Sequence, residues 1–164
     1  MHSLTLAIFL LISPIVAHAS SIGNILPGAE QRGEATFRFL GFPMYKARLY
    51  TDGGRAFDWQ QDFALELTYQ RNLTEYDLIE STLREMKRLG QTPPVKDQLS
   101  LCFDDVASGD SYLAVTEGAD RIVLWRNGRS VCVLSHPQIK RHFMSIFLGE
   151  NTRSAKFTHN LRGL

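Results

Sequence analysis

The chain has 164 residues, 44% hydrophobic and 21% charged, with 18 Lys and Arg against 17 Asp and Glu. These proportions exclude a disordered segment, a collagen-like repeat and a polytopic membrane protein, and they predict one domain with a full core. A net charge of +1 supplies no general attraction to nucleic acid or to an anionic membrane.

Leu4 to Ala17 is a nearly unbroken apolar run without a charge, ending in Ala17-His18-Ala19 and Ser20-Ser21. The run is shorter than the roughly 20 residues that span a bilayer as a helix. Small residues at Ala17 and Ala19 fit a signal-peptidase site. The expectation is a signal peptide over 1–19, export to the periplasm, and a mature domain over 20–164 that crosses no membrane.

From Glu34 to Thr51 aromatic and aliphatic residues dominate, broken by Gly41-Phe42-Pro43. Ala35, Phe37 and Phe39 alternate with Glu34, Thr36 and Arg38, which is a strand pattern. After the break, Met44, Lys46, Arg48 and Tyr50 share one face and Tyr45, Ala47 and Leu49 the other. Asp52-Gly53-Gly54 signals a turn. Phe63, Leu65, Leu67 and Tyr69 mark one side of a third strand.

A helix is predicted from Thr74 to Leu89. Thr74 is a natural N-cap with Asp77 at the capping-box position, acids come early and bases late, and Gly90 follows. Tyr76, Ile79, Leu83 and Met86 form the expected buried stripe. A second helix follows Pro93-Pro94, with Val95, Leu99, Cys102 and Val106 on one face. Ser111–Thr116 and Arg121–Trp125 read as strands. Asn127-Gly128, between Ile122–Trp125 and Val131–Leu134, is a strong two-residue hairpin signal. Pro137 fits the first turn of a helix whose buried face is Ile139, Phe143 and Ile146/Phe147. A last helix begins near Thr152 and carries Ala155 and Leu161. The class is α+β: an antiparallel sheet with helices on one side.

Reactive chemistry is sparse. His136, His142 and His159 lack metal-ligand spacing, so no metal site is expected, and no phosphate loop or nucleophile elbow suggests a cofactor or covalent catalysis. Asp104, Asp105 and Asp110 read as helix-end and turn residues. Cys102 and Cys132 both sit in apolar patterns. Export would permit a disulfide between them, but the apolar patterns favour burial as free thiols.

Four stretches, in order, resemble the chalcone isomerase family, and its short exported bacterial branch in particular. They are Leu40-Gly41-Phe42-Pro43-Met44-Tyr45-Lys46-Ala47-Arg48-Leu49-Tyr50; Leu65-x-Leu67-x-Tyr69 with Glu85-Met86-x-x-Leu89-Gly90; Phe103-x-Asp105-Val106-x-x-Gly109-Asp110; and Arg126-Asn127-Gly128 continuing to Ile146-Phe147-Leu148-Gly149. The resemblance implies an open-faced β-sandwich, a long antiparallel sheet with helices on one face and a ligand cleft between them.

In the family's plant enzymes the cleft cyclises chalcones with an Arg and a Thr near the substrate carbonyl, assisted by a Tyr, an Asn and a Ser or Thr. Inactive plant relatives bind fatty acids through an Arg and a Tyr. Carried onto this chain, the Thr position falls at Lys46, the Tyr near Tyr76, the Asn near Ser81 and the last Ser/Thr at Val133. The Arg position falls near Glu34, with Arg32 and Arg38 as neighbours. So incomplete a set predicts a non-catalytic binder of an apolar or fatty-acid-like ligand. The expected site is Arg38, Lys46, Tyr76, Ser81 and Val133, with Lys46 or Arg38 anchoring the head group. The alternative is an isomerase or intramolecular lyase of unknown substrate using Lys46 and Tyr76.

Overall fold

A computed structural model describes residues 22–164. The signal segment expected over 1–19 and its cleavage site lie outside the described residues. After a short helix α1 (Ile22–Ile25), two eleven-residue strands β1 (Ala29–Phe39) and β2 (Phe42–Asp52) form a long hairpin. Leu40 and Gly41 turn it, both at positive φ. Strand β3 (Ala64–Tyr69) pairs with β2, and helices α2 (Glu75–Arg88) and α3 (Lys96–Cys102) follow. Strands β4 (Ser111–Thr116), β5 (Arg121–Arg126) and β6 (Arg129–Ser135) extend the sheet. Helices α4 (Ile139–Leu148) and α5 (Ala155–Leu161) close the chain.

The six strands lie in the order β1-β2-β3-β4-β5-β6, every neighbouring pair antiparallel. Helices pack on one face only. Residues that point to them, including Phe37, Ala47, Leu49, Leu65, Tyr112, Leu124 and Leu134, are buried together with Ile79, Met86, Leu99, Ile139, Met144 and Leu161 of the helices. The opposite face is open.

Local signals explain most boundaries. Thr74 and Asp77 form the reciprocal capping box at the start of α2. Asn127 and Gly128 both have positive φ in the β5–β6 turn, as a type I′ hairpin requires. Pro137 lies one residue before the N-cap of α4, Gln138, rather than inside the helix's first turn. The last helix starts later than expected, capped by Ser154, whose side chain accepts from the Phe157 amide.

Two close contacts fix the helical layer to the sheet. At Gly33, beside a β1 bulge, a Cβ would stand 2.3 Å from the Leu161 carbonyl oxygen, so glycine lets α5 rest directly on the strand. The neighbouring Arg32 donates to the carbonyls of Arg162 (3.0 Å) and Gly163 (2.9 Å) at that helix's end. At the far edge, Cys102 of α3 and Cys132 of β6 form a disulfide with Cα atoms 5.3 Å apart. The bridge corrects the reading of both cysteines as buried free thiols. Its physical setting is a helix end laid against an edge strand, reinforced by reciprocal bonds between Gln98 and Ser135.

Candidate functional site

Between the sheet and helices α2 and α4 lies a cavity of about 340 Å³, within the roughly 300–1,000 Å³ typical of small-molecule sites. Its floor is strand side chains: Phe37, Tyr45, Leu65, Leu67, Tyr69 and Leu124 among them. Phe143, Ile146 and Phe147 of α4 form one wall. The other wall is α2, through Asp77, Leu78, Ser81, Thr82, Arg84 and Glu85. The interior is mostly apolar, with charge confined to a few groups.

The charged groups have a definite arrangement. Glu85 is 4% exposed and holds two guanidinium groups, Arg88 at 2.9 Å and Arg153 at 3.3 Å. Arg153, from the loop between α4 and α5, also covers the Phe37 ring at 4.7 Å. Arg84 is a further cation on the lining. Glu85 with its two arginines therefore carries a net positive charge, partly open to the cavity. Tyr45 lies next to this cluster, stacked on Phe37 with ring centroids 5.2 Å apart. Burial pushes its phenol well above the ordinary tyrosine range, opposed by Arg153 and reinforced by Glu85, so the hydroxyl is a neutral donor.

Of the residues expected to bind ligand, the structure brings only Ser81 to this cavity. Lys46 sits on the open face, paired with Glu34 at 3.1 Å. Strand alternation requires this, because Tyr45 and Ala47 on either side face the helices. Arg38 belongs to the same outer row and donates to the Gly41 carbonyl in its own hairpin turn. Val133 is also outward, 39% exposed, since its neighbours Cys132 and Leu134 point inward. Tyr76 is 71% exposed and takes no part in the helix's buried face. That face is Leu78, Ile79, Glu85 and Met86.

The residues that sequence reasoning missed, Glu85 and Arg153, gave little signal. On α2 the cavity-facing stripe is Leu78-Ser81-Thr82-Glu85, a helical i, i+3, i+4, i+7 set that is mostly polar. A search for apolar periodicity passes over it. Arg153 lies in a loop, where no periodicity exists. Asp104, Asp105 and Asp110 are structural, as read. Asp104 pairs with Arg126, Asp105 accepts from the Glu75 amide, and Asp110 accepts from the Ala107 amide.

Among the described residues no group of three or more His, Cys, Asp or Glu could hold a metal ion, and no helix is long and apolar enough to cross a membrane. No family model matches the sequence, and no curated protein matches it. The fold does have solved counterparts. One is an Arabidopsis thaliana fatty-acid binding protein, AtFAP1, with a TM-score of 0.63 at 12% identity, covering 84% of this chain and 88% of that one. The fold is chalcone-isomerase-like. The architecture implied by the four sequence stretches is thus present, including the cleft between sheet and helices. A chalcone-isomerase-like fold at this identity carries no residue roles with it.

Proposed function

We propose that the protein is a non-catalytic binder of an acyl chain or similar apolar ligand with an anionic head, held in the cleft with its head at Arg153. The observation that carries this reading is the cavity itself: an apolar interior whose charged groups include one buried carboxylate shared by two guanidinium groups. A ligand carboxylate beside Arg153 would meet a net positive cluster and the neutral Tyr45 hydroxyl, while its tail lay along Leu65, Leu124 and Phe143. The fatty-acid binding of AtFAP1, on the same fold, supports the reading.

Chalcone cyclisation is not part of it. Oxyanion stabilisation requires preorganised donors around one substrate atom. Lys46 and Val133 lie on the open face and Tyr76 on the solvent side of α2, so the residues invoked for an isomerase do not meet in the cleft. We further propose that the chain is the exported bacterial member of this fold group, cleaved after Ala19 and folded as one domain over 20–164. The Cys102–Cys132 disulfide supports an oxidising destination such as the periplasm.

Calorimetric titration of delipidated protein with long-chain fatty acids tests the binding reading. The expected result is saturable binding in the wild type and none in Ser81→Trp, which fills the cavity from α2. Absence of binding to the delipidated, folded wild type would contradict it.

A further inference from the structure

The cavity floor carries more polar atoms than an unsubstituted hydrocarbon tail can use. Three phenols cross it on adjacent strands: Tyr45 on β2, Tyr69 on β3 and Tyr112 on β4, with successive ring centroids 6.2 and 6.4 Å apart. All three line the cavity. Only Tyr112 has its hydroxyl engaged, donating to the Cys102 carbonyl at 3.2 Å and accepting from the Asp104 amide at 3.0 Å. Among the described residues no hydrogen bond reaches the hydroxyl of Tyr45 or Tyr69.

The two free hydroxyls differ in setting. Tyr45 is beside Arg153 and Glu85, so it belongs to the head-group end. Tyr69 is one strand further in, 6% exposed, and its electrostatic neighbours are the two other phenols. Burial pushes its phenol far above the ordinary range, so it stays neutral and both donates and accepts. The Tyr69 hydroxyl has no protein partner among the described residues and faces the cavity, so a tail of methylenes alone would strip it of water without replacing the hydrogen bond, a loss that a phenylalanine of the same shape would avoid. A site built around such a group discriminates strongly for ligands that satisfy it.

We propose that Tyr69 is a specificity-determining residue, and that the cleft selects acyl chains bearing a hydroxyl or oxo group part-way along the tail over unsubstituted ones. This rests on the acyl-binding reading and narrows it. The carboxylate lies at Arg153 and Tyr45. The chain oxygen accepts from Tyr69, about one ring spacing further in.

The test compares palmitic acid with a series of monohydroxy-palmitic acids differing in the position of the hydroxyl, titrated into delipidated wild type, Tyr69→Phe and Tyr45→Phe, each checked for folding by thermal melting. At least one hydroxylated isomer should bind the wild type about tenfold more tightly than palmitic acid. Tyr69→Phe should remove that preference, so that no hydroxylated isomer binds it more tightly than palmitic acid does. Tyr45→Phe should weaken all the acids alike. Acid binding without preference for any isomer in the wild type, or a preference that survives Tyr69→Phe, overturns the inference alone. A folded wild type that binds no acid overturns the acyl-binding reading and this inference with it.

Discussion

The two faces of the sheet are made from the same strands and solve opposite problems. On the covered face, Phe37, Tyr45 and Phe157 pack edge-on or stacked, and Glu85 is held beside them by its two arginines. On the open face of β1 to β3, Glu34 binds Lys46 and Arg48, Arg48 reaches Glu66 at 3.4 Å, and the Tyr50 hydroxyl donates to Glu66 at 3.1 Å. Burial beside Glu66 pushes the Tyr50 phenol up to about 12. Each face thus has a carboxylate between two cations. The outer set is satisfied within the sheet and half in solvent, whereas the inner set borders a cavity. Ion pairs alone therefore do not mark a site; the space next to them does.

The largest expected effect concerns how the covered layer is locked. Replacing Cys102 and Cys132 together by Ala opens a loop of 30 residues and should lower stability by about 2–4 kcal/mol. Denaturant unfolding reads this directly. Loss below 1 kcal/mol would show that α3 and β6 are held by packing alone.

At the opposite edge, Gly33→Ala should destabilise by about 1–3 kcal/mol, because the new methyl forces α5 off β1. The effect should extend to the site, since α5 carries Phe157 and follows directly on the Arg153 loop. An unchanged melting temperature would contradict the close packing of these elements.

These elements also show what was legible in the sequence and what was not. Alternation in Ala35–Phe39 and Tyr45–Leu49 is a statement about local geometry, and the covered and open faces follow it residue by residue. The Asn127-Gly128 turn and the Thr74–Asp77 cap were equally readable, being fixed by chemistry a few residues long. The site was not. Lys46 lies inside the family-like stretch and Arg38 beside the family's Arg position, yet the same alternation that turns Tyr45 inward turns them out. Tyr76 looked like the start of an apolar stripe, but α2 presents Ser81, Thr82 and Glu85 to the cavity, and a polar stripe resembles a solvent face. Arg153 meets Glu85 across 68 positions of chain, a pairing that only the packing of α2 against the α4–α5 loop creates.

Smaller effects belong to carboxylates at strand, cap and turn positions near the surface. Glu34→Gln should change stability by about 1 kcal/mol or less, as exposed ion pairs generally do. The Arg48 and Lys46 side chains hold the Glu34 carboxyl below its usual range, the Thr74 backbone and hydroxyl do so for Asp77, and the Ala107 amide leads the same effect at Asp110. A depressed folded-state pKa means that the unfolded chain takes up protons first. Stability from these groups is therefore present above the ordinary carboxylate range, around pH 4, and is lost as pH falls through the depressed values. Thermal melts should hold steady from neutral pH down to about 5 and decline below, less steeply in Asp77→Asn. A decline of equal slope in that variant would exclude the capping carboxylate as a contributor.

If the ligand is held as proposed, the cation serving it is Arg153 on the covered side and not Lys46 on the open one. Calorimetric titration of one long-chain fatty acid into Arg153→Ala and Lys46→Ala compares the two directly. Loss of a hydrogen bond to a charged group, about 1.5–3 kcal/mol, predicts roughly 10- to 100-fold weaker binding by Arg153→Ala. Lys46→Ala should match the wild type. Wild-type affinity in Arg153→Ala, with weakened binding in Lys46→Ala, would contradict the account.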